Sequence, residues 1–514
     1  MNNKKTKDMK KTEEKLNDGT IKKSKGKPKR KSKYPKWVLK YKKPGIEIRC
    51  IRGKYYVYKV TSKWDPDIKR SRKITGEYLG RITEAEGFIS VGSGRSKRQR
   101  EEIKSVQVKE NGFSCFINNN LRDNVKLIEK HFGETWQTIV AISYGRLLYQ
   151  SPLKNIGFHF GHSYLSEQLE TIDLRGKNVG LFLKELGKQR EKIVEYFKEY
   201  RRADDCILID GTDIVSESRK MTKCKLAISK EGTYQSLINT MFIFSVGMDT
   251  PIYYRLMPGN IKDVKSFKLC LRESGIKEAT IIVDKGFYSK YNIEDLDIAG
   301  LKYIMPLKRD NKMINYDIIK SGNKGNYEGY FKYAGRYIWY YTIKQPDGKE
   351  IYVYLDDELK MEEEKDYLKR IDKEIEGYEI ERFYERQKYF GSIALYTNNA
   401  EKVTAEQAYT LYKSRVEVEN MIDTFKNVLE SDRTYMQDEE TLEGWMFVNH
   451  IAMQWYYSLH SLLLKNNLLK TYSVNDILEA LKQIHKVKIN GEWYKEEITH
   501  KTEELMNKLG IPIT

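Results

Sequence analysis

The chain has 514 residues, of which 40% are hydrophobic and 12% aromatic, and it carries a formal net charge of +19. This length exceeds what one simple hydrophobic core supports, so we expect two to four domains. The five cysteines are odd in number, scattered and without a C-x-x-C pair; they support neither a disulfide framework nor a zinc site, and they favour a reducing cytoplasm.

Neither a secretory signal nor a membrane span is predicted. The N-terminus lacks the apolar core of a signal peptide. The best membrane candidate, Trp445 to Leu464, is interrupted by polar residues such as Asn449 and His450, so a buried helix is the better interpretation. We expect a soluble, cytoplasmic protein that has no membrane partner.

Most of the positive charge lies at the N-terminus. Residues 1–45 hold 18 Lys and Arg against 4 Asp and Glu, a balance of +14, so the other 469 residues carry only +5. We predict that these 45 residues form a disordered basic tail, which holds a polyanion non-specifically and in a salt-dependent way. A tail that merely keeps the protein in solution is the alternative.

Residues 46–100 are predicted to form a small β-rich domain. The segments IEIRCI and YYVYKV, joined by Arg52-Gly53-Lys54, predict a hairpin, and KITGEYLGRI supplies a third strand. Basic residues alternate with tyrosines here, which suits DNA contact but equally suits a small sheet with a solvated basic face. Residues 101–205 are amphipathic and helical in pattern, and we predict that they bind DNA or dimerise.

From residue 206 the pattern is typical of a buried mixed sheet. Three apolar segments, CILIDGTDIV, SLINTMFIFSVGM and PIYYRLMP, are followed by the helical stretch VKSFKLCLRESG and by a fourth apolar segment, ATIIVD. This strand-strand-strand-helix-strand order is that of a ribonuclease-H-like α/β core, and its first part is predicted at residues 206–307.

The core is then predicted to be interrupted. Residues 308–390 hold aromatic strand candidates, which predict a β-rich insertion domain. The second part of the core, residues 391–465, begins with the strand SIALYTN and continues with a helix that starts at the capping-box pair Thr404 and Gln407. Residues 466–514 are predicted to form a C-terminal helical tail.

Two aspartates follow apolar runs of this core. Asp210 in LIDGTD and Asp284 in IIVDKGFYS are each preceded by three apolar residues, so each is predicted to end a buried strand. An unpaired charge there is costly unless a metal ion or hydrogen bonds compensate it. Two strand-end carboxylates and a third from a helix can hold two cations about 3.5–4 Å apart beside a phosphodiester. Oxygen ligands of this kind favour magnesium or manganese.

The third carboxylate is predicted on a single helix that also carries Tyr412, Arg415 and Lys426. At about 100° per residue, these three residues and Glu419 fall within a sector of about 60° beside the apolar face of the helix. Glu417 points away from that sector, at about 140° from Tyr412 on the same wheel. Glu419 is therefore the better candidate ligand.

Each part of this pattern also has a simpler interpretation. Arg415 and Glu419 form an i,i+4 pair, and most such pairs are surface salt bridges worth roughly a few tenths of a kcal/mol. An Asp before Gly, as in Asp210-Gly211, is more often a turn residue than a metal ligand. Taken together, in this order and on these elements, the three carboxylates favour the active site of a DNA-processing enzyme.

The spacing of the four residues on this predicted helix resembles a known signature. The spacing Tyr412-x2-Arg415-x3-Glu419-x6-Lys426 is similar to the Y-R-E-K signature of bacterial insertion-sequence transposases of the DDE type. The blocks DGT and DKGFYS around the two aspartates resemble those of the same family, as do the block PGN and the β-rich insertion. The resemblance covers roughly residues 46–465.

The resemblance implies a DDE triad of Asp210, Asp284 and Glu419 that binds two Mg²⁺ (or Mn²⁺) ions for hydrolysis and transesterification of DNA. Members of this family cut donor DNA at terminal inverted repeats and join the freed ends to target DNA, which is cut-and-paste transposition of a mobile element. The implied partners are double-stranded DNA and a second copy of the chain, as a homodimer in a synaptic complex in the bacterial nucleoid. No nucleotide cofactor is implied.

The resemblance also implies DNA-contacting residues. Tyr412, Arg415 and Lys426 would contact phosphates of the transposon ends, a role that their charge and their position at a helix edge independently allow. Trp339 in RYIWYY is a candidate to stack on a flipped base, as in relatives that cleave through a hairpin intermediate. A tryptophan among strand aromatics is otherwise simply part of a core.

Three functions remain open at this point. The first is an active transposase, and the second is a metal-dependent nuclease on the same core that does not join DNA ends. The third is a catalytically idle DNA-binding protein derived from a transposase. The intact triad argues against the third, since clustered carboxylates have no stabilising value of their own.

Overall fold

The computed structural model describes residues 33–66, 68–91, 103–169, 172–202, 205–229, 232–261 and 263–513. Most of the predicted basic tail, residues 1–45, lies outside the described residues. The chain divides into two compact units, Met1–Glu102 and Ile103–Thr514. In the described ranges, no helix combines the length and the apolar character that crossing a bilayer requires.

The first unit is a four-stranded antiparallel sheet with one short helix packed against it. Its elements are α1 (Lys36–Leu39), β1 (Ile46–Ile51), β2 (Lys54–Asp65), β3 (Arg70–Thr83) and β4 (Gly87–Ser90). Val38 of the helix packs with Ile48 and Val57 of the sheet. Arg52 and Gly53 have positive φ angles of 47° and 77°, which suit a two-residue hairpin turn. The predicted hairpin and third strand are therefore confirmed.

The second unit begins with a strand and a series of helices. These elements are β5 (Val106–Glu110), α2 (Gly112–Asn120), α3 (Arg122–Phe132), α4 (Trp136–Tyr149), α5 (Ile156–Gly161), α6 (Leu165–Gln168), α7 (Gly176–Gly187) and α8 (Arg190–Tyr200). Most described residues between 112 and 200 are helical, as predicted, whereas β5 is a strand; the boundaries of this region stay a prediction.

A mixed sheet forms the centre of the second unit. Its first elements are β6 (Asp205–Ser216), β7 (Lys225–Ile228), β8 (Tyr234–Ser245), β9 (Thr250–Pro258), α9 (Asp263–Ser274), β10 (Ala279–Val283), α10 (Lys290–Ile298) and β11 (Lys302–Pro306). Strands β6, β8 and β9 pair antiparallel, β10 lies parallel to β6, and β11 lies parallel to β10. The spatial order β9-β8-β6-β10-β11 is that of a ribonuclease-H-like core, so the predicted fold class is confirmed.

The next part of the chain adds strands to the same sheet. Its elements are α11 (Asp317–Ser321), β12 (Gly329–Tyr333), β13 (Arg336–Lys344), β14 (Glu350–Asp356), α12 (Asp357–Asp372), α13 (Ile380–Arg386) and β15 (Ser392–Thr397). Strands β12, β13 and β14 form an antiparallel meander, and β15 pairs with both β14 and β11. The aromatic strands are thus continuous with the core sheet. The boundaries of an inserted domain stay a prediction.

Helices then return the chain to the core. The elements are α14 (Ala405–Lys413), α15 (Val416–Asp423), β16 (Arg433–Thr434) and α16 (Glu439–Lys465). Thr404 and Gln407 form the predicted capping box at the start of α14. Helix α16 is largely buried and packs against α4, α7 and β9, which confirms the buried helix predicted from its apolar sequence.

The C-terminal region contains a hairpin that the sequence pattern did not predict. Its elements are α17 (Val474–Lys482), β17 (His485–Ile489), β18 (Glu492–Lys495) and α18 (His500–Leu509). Strand β17 pairs with β18 and with β5 in a three-stranded sheet. The prediction of an entirely helical tail is therefore wrong at this hairpin. Asn490 and Gly491, with φ angles of 51° and 99°, provide its two-residue turn.

Helices α7 and α16 approach each other closely at two glycines. A Cβ atom at Gly187 would overlap the backbone oxygen of Glu440, and one at Gly444 would overlap the backbone oxygen of Leu183. Because each clash is with backbone, a rotamer change cannot relieve it. The glycines therefore set the distance between these two helices.

Glu110, the last residue of β5, is a buried carboxylic acid. Its Oε2 accepts hydrogen bonds from the hydroxyls of Ser114 (3.0 Å) and Tyr144 (2.8 Å), and its Oε1 accepts one from the N–H of Phe113. Burial raises the pKa of Glu110 to about 7, although these hydrogen bonds oppose the shift. The folded protein therefore favours the protonated acid.

We expect Glu110 to make the stability of the second unit depend on pH. Its pKa is higher in the fold than the ordinary value of 4.5, so its contribution is complete below pH 4.5 and is lost as the pH rises through about 7. Between pH 4.5 and pH 8 the free energy of unfolding of the wild type should fall by about 3 kcal/mol relative to that of Glu110→Gln, whose amide does not titrate. Urea unfolding at both pH values measures this difference. The exposed Glu191→Gln is the control, and equal pH dependence in wild type and Glu110→Gln would contradict the prediction.

Candidate active site

The register of the core sheet brings Asp210 and Asp284 side by side. Val283, the last residue of β10, pairs with Ile209 of β6, and each chain continues in extended conformation to its aspartate. Neighbouring strands lie about 4.8 Å apart, and residues paired in register point to the same face of the sheet. The two carboxylates therefore project from one face at the same level.

Asp210 does not end its strand, so this part of the prediction is wrong. Strand β6 continues to Ser216 because its second half stays paired with β8. On the other edge of β6, the pairing with β10 ends at Ile209, opposite Val283, and the pairing with β16 begins only at Val215. Asp210 thus lies where this edge of β6 leaves the ladder with β10. Asp284 directly follows its strand, as predicted.

The predicted single helix is also wrong. The chain forms α14, a tight turn, α15 and then a π-helical segment, Thr424–Val428. In the turn, the N–H groups of Arg415, Glu417 and Val418 donate to carbonyls three residues earlier, which is tighter than α-helical winding. A wheel of about 100° per residue does not hold across these two changes of pitch.

Hydroxyl side chains stand at both changes of pitch. Ser414 Oγ donates to the carbonyl of Leu411 at 2.6 Å, and Thr424 Oγ1 donates to the carbonyl of Asn420 at 2.9 Å. Such bonds compete with backbone N–H groups for helix carbonyls and bend helices. They give a physical reason for the departure from one regular helix.

Arg415 lies between two of the candidate carboxylates. Its Nη2 is 2.9 Å from Glu419 Oε1, and its Nη1 is 3.7 Å from Asp284 Oδ1. Burial lowers the pKa of this guanidinium, and a larger upward effect comes from Asp284, Tyr412, Glu419 and Asp210. The net shift is upward. Arg415 is therefore in contact with Glu419 and close to Asp284, and Asp210 is near enough for its charge to act on the same guanidinium.

Tyr412, near the end of α14, lies near the same charged groups. Burial raises the pKa of its hydroxyl, Asp284 and Glu419 raise it further, and Arg415 opposes the shift. The tyrosine is half-buried and remains neutral near pH 7. It can therefore donate a hydrogen bond to an anion that enters the cluster.

Glu417 acts on a different part of the structure from Glu419. The pKa of His460 on α16 is raised chiefly by its hydrogen bond with Asp249, and Glu417 adds to that shift. Glu419 acts instead on Arg415. The two neighbouring glutamates therefore lie on different sides of α15, as the wheel predicted despite the irregular winding.

Lys426 and Trp339 lie outside this cluster. Lys426 is in the π-helical segment, and its side chain has no ion-pair partner among the described residues. Trp339 on β13 is half-buried, with ring-centroid distances of 5.9 Å to Tyr327 and 5.1 Å to Tyr330. Lys324 Nζ lies 5.1 Å from the centroid of the tryptophan ring. The structure thus brings together five of the seven candidate residues.

The chemistry of the cluster suits a hard divalent cation. Asp210, Asp284 and Glu419 offer carboxylate oxygens, which Mg²⁺ and Mn²⁺ prefer. In this structure the guanidinium of Arg415 supplies the positive charge beside Asp284 and Glu419. Across the described ranges, no three His, Cys, Asp or Glu side chains are already spaced to hold a metal ion. The Glu419 side chain is 48% exposed, so it can turn toward a cation without disturbing the core.

One buried residue near the site was not recognised from the sequence. Arg146 of α4 donates Nε to Asn449 Oδ1 (2.8 Å), Nη1 to Ser151 O (3.0 Å), and Nη2 to Leu429 O and Ser431 Oγ. It thereby holds the chain that follows the π-helical segment. An arginine within the apolar run VAISYGRLLY is the signal, because a buried charge requires polar partners.

Comparison with known proteins adds two findings. A family model described as "Transposase DDE domain" matches residues 201–455, the range that contains all of the candidate site residues. Comparison with curated proteins gives no match. Among solved structures, the cryo-EM structure of a piggyBac transposase synaptic complex with hairpin DNA matches with a TM-score of 0.35 and 11% identity, over 73% of this chain and 79% of that chain.

Proposed function

Because the chain belongs to the DDE transposases, we propose that it binds the terminal inverted repeats of its element and performs cut-and-paste transposition with Asp210, Asp284 and Glu419. The observation that carries this proposal is the position of Arg415 between Glu419 (2.9 Å) and Asp284 (3.7 Å), together with the strand register that sets Asp210 beside Asp284. Two of them come from adjacent parallel strands and the third from a helix packed on the same sheet.

Two Mg²⁺ or Mn²⁺ ions are the proposed cofactors. Asp210, Asp284 and Glu419 would hold them, and the ions when bound would activate the attacking oxygen and stabilise the leaving oxygen. By holding the ions, the carboxylates would fix the position of the scissile phosphate relative to the sheet. Hydrolysis of a phosphodiester frees a 3′-hydroxyl, and attack of that hydroxyl on target DNA exchanges one phosphodiester for another. Bond number is conserved in the second step, so no nucleotide cofactor is proposed.

Arg415 and Tyr412 are proposed to bind the DNA phosphates. A guanidinium binds phosphate oxygens through two parallel hydrogen bonds, and the tyrosine hydroxyl can donate a third. Cations bound by the carboxylates would release Arg415 from Glu419 for this role. Lys426 carries an ammonium group without an ion-pair partner among the described residues, which supports a further phosphate contact. Trp339, with its cationic neighbour Lys324, is proposed to stack on a flipped base.

The proposed partners are double-stranded DNA, as transposon ends and as target, and a second copy of the chain. One active centre acts on one DNA end at a time, so joining both ends of an element to one target calls for two centres. A homodimer in a synaptic complex is therefore proposed. The alternative function is a metal-dependent nuclease on the same core, since the triad chemistry is shared; a catalytically idle DNA-binding protein is the third.

The products formed from the element's own ends test the proposed function. Purified full-length protein is incubated with a linear duplex carrying those ends, a supercoiled target plasmid, and Mg²⁺ or a chelator. We expect Mg²⁺-dependent cleavage at the repeat boundary and joining of the cut ends to the plasmid. Cleavage without joined product would identify the nuclease, binding without either product would identify the idle protein, and equal reaction with chelator would exclude the proposed cofactors. Asp284→Asn is the control for contaminating nuclease.

A further inference from the structure

Strands β2 and β3 extend beyond the sheet of the first unit as a two-stranded ribbon. Strand β1 accompanies β2 only as far as Lys59, and β4 accompanies β3 only from Gly80. Beyond these points, six residue pairs run from Val60–Thr75 to Asp65–Arg70 with no third strand among the described residues. We call residues 60–65 and 70–75 the arm.

The arm contributes little to the core of its unit. Residues 61–64 and 70–75 are all exposed, including Trp64, which is 60% exposed. The pairing is irregular at the base, where Gly76 and Glu77 stand against the single residue Lys59. A bulge of this kind bends a ribbon and increases its twist. The arm is therefore twisted at its base, and its side chains are exposed on both faces.

One face of the arm carries unbalanced positive charge. Lys63 and Arg72 are directly paired across the two strands, and Arg70 lies two residues away on the same face, opposite Asp65. Among the described residues, Lys63, Arg70 and Arg72 have no ion-pair partner. Like charges directly opposite each other destabilise a β-ribbon. An anion bound at this face would reduce that repulsion and so stabilise the pair of strands.

On the opposite face of the arm, the lysine has an ion-pair partner. This lysine, Lys73, lies 2.7 Å from Glu47 of β1, which also pairs with Arg49 at 3.0 Å. Lys73 on that face therefore has an ion-pair partner within the unit. The contrast identifies the Lys63–Arg72 face as the one that is left for a polyanionic partner.

We propose that the arm enters the major groove of the transposon-end duplex with its Lys63–Arg72 face toward the DNA. The major groove is about 12 Å wide and admits a two-stranded β-ribbon. Six residue pairs extend over about 20 Å at 3.4 Å per residue, which is more than half a turn of B-DNA. Arg70 and Arg72 can read guanine edges there, and Lys63 can bind phosphate. The inference rests on the proposed function, since it supplies the DNA ends.

A charge-matched pair of variants tests the arm. Lys63→Thr/Arg72→Thr removes two charges from the arm and keeps β-forming side chains. Lys54→Thr/Arg81→Thr removes the same charge from the body of the same sheet. Binding of each full-length protein to a duplex of the element's ends, and to a shuffled duplex, is measured over a range of salt concentrations.

We expect the arm variant to bind the end duplex about 10- to 100-fold more weakly, with a smaller loss on the shuffled duplex. The slope of log affinity against log salt should become shallower by about 1, because Lys63 is the phosphate contact that this variant removes. The sheet-body variant should keep the ratio between the two duplexes. Equal losses in both variants, or no loss in the arm variant, would overturn the proposal.

The groove is identified separately. Methylation of guanine N7 in the end duplex should weaken binding of the wild type more than binding of the arm variant, which keeps only Arg70 of the two arginines, because N7 lies in the major groove. Inhibition only by a minor-groove ligand would overturn the proposal. If wild-type protein binds the ends but never cuts them, the proposed function fails. The binding comparison between the two variants would still test the arm.

Discussion

Glu419→Gln should greatly slow DNA cleavage, while Glu417→Gln, two residues away, should cut at close to the wild-type rate. The expected loss in the first variant is on the order of 10²- to 10³-fold in the rate at saturating DNA, the size of effect seen when a group that stabilises transition-state charge is removed. Gel analysis of strand cleavage with Mg²⁺ measures both rates.

The two glutamates are expected to differ because they have different neighbours. Glu419 is 2.9 Å from Arg415 and shares that guanidinium with Asp284, whereas Glu417 acts on His460 of α16. An amide keeps the size of the carboxylate but lacks its charge, so it is a poor ligand for a hard cation. Since the Glu419 side chain is 48% exposed, its replacement should leave the fold almost unchanged.

Two measurements separate a chemical defect from a structural one. The melting temperature and the affinity for the end duplex should be similar in the wild type, Glu419→Gln and Glu417→Gln. The assignment of Glu419 would be refuted by a variant that binds and melts normally and still cuts at the wild-type rate. Loss of cleavage in Glu417→Gln alone would move the assignment to Glu417.

Gly444→Ala should strongly destabilise the second unit. Its Cβ would overlap the backbone oxygen of Leu183, and Gly187 makes the corresponding contact with the backbone at Glu440. The two helices would have to separate, which costs about 3 kcal/mol or more in a packed core. Since alanine gains about 1 kcal/mol over glycine in a helix interior, the steric cost decides the sign.

Gly180→Ala on α7 is the matched control. A Cβ atom there meets nothing within 4 Å, so only the helix propensity changes and the variant should gain up to about 1 kcal/mol. Urea unfolding monitored by circular dichroism compares the two variants with the wild type. Equal stabilisation of Gly444→Ala and Gly180→Ala would show that the helices do not meet as closely as described.

The sequence predicted the core because hydrophobic runs and turn residues are local signals. The order of the apolar segments gave the ribonuclease-H-like topology, and the capping box at Thr404 marked the start of α14. The hairpin at His485–Lys495 carried the signal Asn490-Gly491, but an amphipathic helix just before it led to a helical prediction. The partner of that hairpin, β5, is remote in sequence, so its pairing was not predictable from local pattern.

The sequence proposed residues for the candidate site, but it did not predict their local geometry. The end of β6 depends on its neighbours β8 and β16, which extend the strand past Asp210. The helix wheel assumed one pitch, whereas Ser414 and Thr424 bond to preceding carbonyls where the pitch changes. Arg146 was missed because its partners lie on segments far from α4 in the sequence.

The pairing of β5 with β17 has a consequence for synthesis of the protein on the ribosome. About 375 residues separate the two strands, and chains elongate at about 5–20 residues per second. The ladder between them therefore cannot close until roughly 20–75 s after β5 has been made. The first unit, with its own core and only local strand pairing, can fold during that interval. A nascent chain would thus carry a folded arm well before it carries a complete catalytic unit.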